Sequence, residues 1–225
     1  MKALSSFVYS ILAGVCISIG GTVYLSLENK MVGAFLFAVG LFTVCTFGYN
    51  LFTGKVAYIL ENKPSYTLFC GSVWLGNLVG CLLVGSLLRL TRVSIIEAAE
   101  KVSQTKLNDS PLSIFILAIF CNIMIVIAVE AFKNNPHPVG KYLGLVFGIM
   151  VFILCGFEHC VANMFYFTLS GAWSLHAVGY LIIMTLGNTL GGLIIPVSRQ
   201  LRNKAVAANM PTLESENVGA GTKSV

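Results

Sequence analysis

The chain has 225 residues, of which 56% are hydrophobic and only 10% charged, and its mean hydropathy is +0.85. A soluble domain carries about 25% charged residues, so the composition excludes one, and it excludes a disordered chain as well. A net charge of +5 from 14 Lys and Arg is too sparse for a phosphate-binding surface, which excludes nucleic acid as a partner.

Hydropathy and turn signals divide the chain into six apolar segments. The first runs from about residue 4 to 27 and ends at Glu28-Asn29-Lys30. Lys2 ahead of an apolar run resembles a signal peptide. The run from Ala3 to Leu27 is nevertheless long enough to span, and no A-x-A site follows it. Leu12 to Cys16 has one residue too many to be a lipoprotein processing site, so the segment reads as a membrane helix. The second runs from about 31 to 60, ending at Glu61-Asn62-Lys63-Pro64, and the third from about 66 to 90. A polar loop from Arg92 to Ser110 follows. The fourth covers about 111 to 132, the fifth about 140 to 172 and the sixth about 176 to 198. The channel domain is thus residues 1–204, and a polar tail, 205–225, is expected to be disordered and cytoplasmic.

Segments two and five exceed the roughly 20 residues of one span. Each carries polar residues in its middle, Gly48-Tyr49-Asn50 in one and Gly156-Phe157-Glu158-His159 in the other. Both read as broken helices, since irregular backbone at membrane depth survives only when buried in protein or lining a cavity. The halves also match each other. Gly48-Tyr49 corresponds to Gly156-Phe157, and Leu75-Gly76-Asn77 to Leu186-Gly187-Asn188. Three helices per half is an odd number, so the repeats are inverted in the membrane, a pattern that points to a transport site near the midplane. The Gly76–Gly80 and Gly187–Gly191 pairs suit close helix packing. Asn77 and Asn188 either hydrogen-bond across helices or face a pore. With both termini on one side, that side holds eight Lys and Arg and the other five, Lys55 being left out as mid-span, so both termini are expected in the cytoplasm of a plasma (inner) membrane.

Seven cysteines lie in apolar stretches without a C-x-x-C pair, which argues against a disulfide framework or a zinc site. His159 is the only histidine inside a span, and an ionisable residue in a broken membrane helix marks a functional site. Glu158 reads as a structural carboxylate bonded to freed backbone N–H groups or to another helix. Glu158, His159 and Cys160 cannot converge on one metal ion as successive helical residues, and no cofactor is expected.

The run Cys155-Gly156-Phe157-Glu158-His159-Cys160-Val161-Ala162-Asn163-Met164 resembles the fifth-helix signature of the formate/nitrite transporter family. Leu51-Phe52-Thr53-Gly54, Ala13 to Ser18 and Leu186 to Thr189 are also similar to that family, in order, over about residues 6 to 200. The resemblance implies a homopentamer of aquaporin-like protomers, each with its own pore for a small monovalent anion. It implies a central pore at His159, Thr53 and Asn163, between two apolar constrictions. Phe37, Leu41 and Phe152 would form the cytoplasmic constriction, and Leu51, Phe52 and Ile125 the outer one. Lys106, Asn122 and Asn188 would line the vestibule and the polar parts of the pore. The chain departs from the family in having only a few residues before the first helix, Ser5 where a lysine is common, and Lys55 after the Leu51–Gly54 motif.

Greasy constrictions make sense for such a cargo. A bare charge in an apolar ring costs many kcal/mol, whereas protonating a weak acid of pKa near 4 at pH 7 costs only about 4 kcal/mol. A histidine titrates in the right range to take part. Either His159 helps to neutralise the anion, or it stays charged and the anion itself passes. Formate and nitrite are the expected substrates, with hydrosulfide or a neutral solute as alternatives. An aquaporin would need two Asn-Pro-Ala motifs, and the single Asn-Pro here, Asn135-Pro136, is in a loop. A membrane enzyme would need a cluster of polar catalytic groups in the spans, and a scaffold would need no broken helices.

Overall fold

Every regular element among residues 2–208, the part of the chain that the computed structural model describes, is a helix. In chain order these are α1 (Lys2–Ser26), α2 (Lys30–Phe47), the short α3 (Phe52–Val56), a 3₁₀ turn at Ile59–Glu61, α4 (Ser65–Leu88), α5 (Ile96–Leu107), α6 (Pro111–Asn134), α7 (Pro138–Leu154), α8 (Cys160–Ser170) and α9 (Leu175–Ala208). By length and composition α1, α2, α4, α6 and α9 are able to cross a membrane, and α7 and α8 are shorter apolar helices. Their outward faces carry large apolar side chains such as Leu68, Leu83, Phe120 and Leu186, which suits contact with lipid.

Local chemistry explains the boundaries. Asn29 caps α2, its Oδ1 accepting from the N–H groups of Met31 and Val32 at 3.0 and 3.2 Å. Ser110 caps α6, and Pro111 and Pro138 open α6 and α7 where their missing N–H costs nothing. The expected second segment is α2 plus α3, and the expected fifth is α7 plus α8. Gly48 closes α2 at φ 69° and Gly156 follows α7 at φ 68°. Only glycine adopts that region freely, so each turn is bought with a residue lacking Cβ. The Arg92–Ser110 stretch, expected as a loop, contains α5 instead. Its helix was hidden by charge, but Ile95, Ala99 and Ser103 are buried at every fourth position. α9 runs on to Ala208, past the expected start of the tail at 205, and the rest of that tail lies outside the described residues.

The packing has a repeated plan. α1 packs on α2 and α4 as α6 packs on α7 and α9, while α2 meets α7 across the middle. Two glycines set the closest approaches. A Cβ on Gly80 would strike the carbonyl oxygen of Ile11, and one on Gly191 that of Ile119. The Gly-x-x-x-Gly runs therefore serve helix packing. Inside this frame α3 rests on α4, α6 and α9, and α8 on α4, α5, α1 and α9.

Candidate functional site

The site is built where α3 and α8 begin. α3 starts at Phe52 and α8 at Cys160, each just after an irregular stretch. Two asparagines hold these starts in matching ways. Asn77 Oδ1 accepts from Phe52 N at 2.9 Å, and its Nδ2 donates to Ser10 O and Asn50 O. Asn188 Oδ1 accepts from Cys160 N at 2.9 Å, and its Nδ2 donates to Ala118 O and Glu158 O. Matching backbone bonds run from Asn50 N to Tyr9 O and from Glu158 N to Leu117 O. Backbone groups freed by the breaks thus find partners without water, as burial demands. Of the two readings open for Asn77 and Asn188, the structure takes the first. Both are fully buried hydrogen-bonding residues, and Asn188, expected as a pore-side amide, is not among the residues lining the two cavities described below.

Between the two helix starts, Thr53 Oγ1 lies 3.0 Å from His159 Nε2. His159 Nδ1 accepts from Ala162 N at 3.1 Å, capping α8. A nitrogen that accepts carries no proton, so the proton sits on Nε2 and is donated to Thr53 Oγ1. The threonine hydroxyl is then left with its own proton to give. Both side chains are buried, and Phe152 stacks on the imidazole at 5.7 Å between ring centroids.

Two cavities flank this pair and share no lining residue. The larger, about 250 Å³, is lined by Lys106, Asp109, Phe152, Glu158, His159, Asn163 and Tyr166, among others. Here Glu158 takes the second of its two expected roles, bonding to other helices. Its carboxylate holds no backbone N–H. Oε2 accepts from Lys106 Nζ and from Asn163 Nδ2, each at 2.7 Å. Lys106 therefore enters the cavity paired, as half of an ion pair with both side chains nearly buried. Asn163 Oδ1 is a buried acceptor with no partner.

The smaller cavity, about 70 Å³, is lined by Leu41, Val44, Cys45, Gly48, Tyr49, Leu51, Gly54, Lys55, Val129 and Lys133. Lys106 precedes α6 and Lys133 lies near its far end. Twenty-odd residues at 1.5 Å each separate them, so the cavities open toward opposite ends of the bundle, about 33 Å apart. The described parts of both termini lie at the Lys133 end. Asn50 Nδ2 reaches Ser6, and Arg199 pairs with Glu130 at 2.7 Å.

The residues expected at the constrictions divide between the two cavities and the buried core. Phe152 lines the Lys106 cavity, and Phe37 packs edge-on against it at 5.9 Å. Leu41, expected with them, lies instead with Leu51 on the Lys133 cavity. The cause is direction. α2 runs toward the Lys133 end, so Leu41 is one turn nearer that end than Phe37, and Leu51 comes after the break. Phe52, Ile125 and Asn122 are buried and line neither cavity. Asn122 Nδ2 donates to Asn188 O at 2.6 Å, supporting the asparagine that caps α8. Sequence reasoning left the partners of Glu158 unnamed. Its partner Lys106 is 52 residues away, and nothing local signals the pairing. Among the described residues, no three of His, Cys, Asp and Glu gather as a metal site.

A profile of the formate/nitrite transporter family matches residues 1–198. YrhG, an uncharacterised transporter of Bacillus subtilis, is 34% identical over 183 residues, covering 74% of this chain and 68% of its own length. The nitrite transporter NirC of Salmonella typhimurium is 29% identical, with 85% of this chain and 80% of its own covered. The formate channel FocA of Haemophilus influenzae is 26% identical, with 84% and 83% covered. Among solved structures, an FNT family ion channel superposes with a TM-score of 0.78 at 25% identity, over 89% of this chain and 90% of its own. A pentameric formate channel with formate bound shares the fold at a TM-score of 0.76 and 24% identity, over 92% and 98%.

Proposed function

The chain belongs to the formate/nitrite transporter family, and on that premise we propose that it conducts a small monovalent anion of a weak acid, formate or nitrite, past His159. The fold reading that goes with this is an aquaporin-like protomer of six spans. Its two three-helix halves are related by inversion, with α2–α3 and α7–α8 as broken spans. The matched bonds of Asn77 and Asn188 support it, because each asparagine performs the same three tasks in its own half.

The observation that carries the function is the Thr53–His159 contact between two closed apolar passages. An anion entering the larger cavity meets Lys106, whose charge is balanced by Glu158, so it is drawn in without being trapped. To go on it must pass the Phe37–Phe152 pair and then Leu41 and Leu51. A dry ion there is far costlier than a neutral acid. The capped imidazole supports the first of the two mechanisms. An imidazolium would lose the Nδ1 contact to Ala162 N and would sit at the positive end of α8. A neutral His159 that donates through Nε2 and Thr53 is instead a proton path. The unpaired Asn163 Oδ1 suits the O–H of a protonated acid. Formate and nitrite need only a few heavy atoms of space, as the 70 Å³ cavity has. The surroundings proposed for the pore are a homopentamer in a plasma membrane, each protomer with its own pore and both termini cytoplasmic.

The test is flux into proteoliposomes for formate, nitrite, hydrosulfide and chloride at two pH values, wild type beside His159→Asn. Lower pH raises the neutral fraction of a weak acid about tenfold per unit. Weak-acid flux should therefore exceed chloride flux and climb as pH falls, and His159→Asn should flatten the climb. A pH dependence unchanged in the variant sinks the role of His159. Wild-type flux of all three weak acids no greater than chloride sinks the channel reading.

A further inference from the structure

Lys55 is the charged residue that the site above leaves unused. It lies on α3, half-buried, and lines the small cavity at the Lys133 end. Among the described residues its ammonium makes neither an ion pair nor a hydrogen bond. The ion pairs there are Lys106–Glu158 and Arg199–Glu130. Glu130 is fully committed: its oxygens accept from Tyr58 Oη at 2.7 Å, Arg199 at 2.7 Å and Asn134 at 2.9 Å. Lys133, on the same cavity, is parked, with Nζ donating to Tyr58 Oη at 3.2 Å and lying 4.8 Å from the centre of that ring. Two cations thus face one small cavity that contains no carboxylate, and only one of them is occupied.

A partly desolvated ammonium without a counter-charge is expensive to keep. Structural lysines snorkel to water or pair with an acid, and Lys55, half-buried on the cavity wall, pairs with no acid among the described residues. The cavity it lines holds about 70 Å³ and is walled by Leu41, Val44, Leu51 and Val129. That volume has room for an anion of three or four heavy atoms.

We infer that this cavity is a second anion-binding site, on the opposite side of the Leu41–Leu51 constriction from His159. Lys55 binds a small monovalent oxyanion there, and Lys133 swings from Tyr58 to assist. The site rests on the anion-pore reading for its cargo, but its occupancy is measurable without transport. It would hold an anion at the Lys133 mouth before it enters, or after it leaves, the dry passage. Lys106 cannot play that part from the other end.

Cys45 lines the same cavity and serves as the reporter. The full chain in detergent is treated with methyl methanethiosulfonate, a small neutral thiol reagent, and modification of Cys45 is followed by peptide mass spectrometry. Sodium formate and sodium nitrite should slow the reaction in a saturable way, and a non-binding sulfonate buffer at equal ionic strength should not. Lys55→Met should raise the half-protecting concentration about tenfold or more, the scale of one charge-assisted contact. Lys55→Arg should restore it, and Lys133→Met should have the smaller effect. Protection that is absent in wild type, or equal in Lys55→Met, overturns the site, as does a Cys45 that never reacts. The same preparations in liposomes separate the two ideas. Flux without protection overturns the second site alone. Protection without flux sustains it and overturns the transport reading.

Discussion

The Thr53–His159 contact is a single hydrogen bond in a place where nothing else can replace it. Thr53 is fully buried and so is the imidazole edge it meets. Thr53→Val keeps the shape and removes the acceptor, leaving a buried N–H unpaired. The expected cost is about 1–3 kcal/mol of stability, together with a loss of most weak-acid flux. Thr53→Ser retains the hydroxyl and should keep both. Melting temperature and liposome flux, measured on the two variants side by side, check this, and equal behaviour of Val and Ser would refute it. At this scale the sequence was partly legible. A lone histidine in an interrupted span announced itself, because ionisable groups at that depth are rare. The Lys106–Glu158 pair did not, since it joins α5 to the break after α7 across 52 residues. Nor did the placing of Leu41 beside Leu51 and apart from Phe152, because motif spacing does not show which end of the bundle a residue lies toward.

Among the elements, α3 and α8 are the least self-sufficient. α3 has five residues and would not form alone, since helices this short do not outweigh their nucleation cost. Its first N–H is satisfied by Asn77, as that of α8 is by Asn188. Replacing either asparagine with Leu orphans one N–H and the one carbonyl beside it that the break has freed, Asn50 O or Glu158 O, in a dry interior. Each substitution should destabilise the chain by several kcal/mol, on the order of 3. Because the two sets of bonds match, the two losses should be similar. Thermal unfolding of Asn77→Leu and Asn188→Leu in detergent measures both. An unchanged melting temperature for either would show that its amide is dispensable. The sequence displayed both asparagines through their shared Leu-Gly-Asn setting, yet left open whether they face a pore. What resolves the ambiguity is the position of the break opposite each, and that requires the packed halves.

At the scale of the whole molecule, the outer face is apolar along α2, α4 and α6, and a groove between α2 and α7 is lined by Phe35, Val39, Phe42, Tyr142 and Val146. Surface of this kind is covered by lipid or by another copy. The homopentamer proposed above predicts a particle containing five copies of the 24.2 kDa chain. Native mass spectrometry from detergent would read this directly, and a monomer or dimer would contradict it. That the chain is built of several apolar helices able to span a membrane was readable from hydropathy, since apolar length is what lipid selects. α5 was not, because an amphipathic helix among charges looks like a loop until its buried face has something to cover.

The short helices also constrain the order of events during synthesis. α3 emerges early, but it packs on α6 and α9, which belong to the later part of the chain. α8, which emerges late, leans back on α1 and α4. Each half therefore completes the other's unfinished wall, and neither can reach its final form while the ribosome still holds the second. Both cavities draw their walls from early and late parts of the chain, Leu41, Leu51 and Val129 at one end and Tyr24, Lys106 and His159 at the other, so neither is enclosed until the later helices have been inserted.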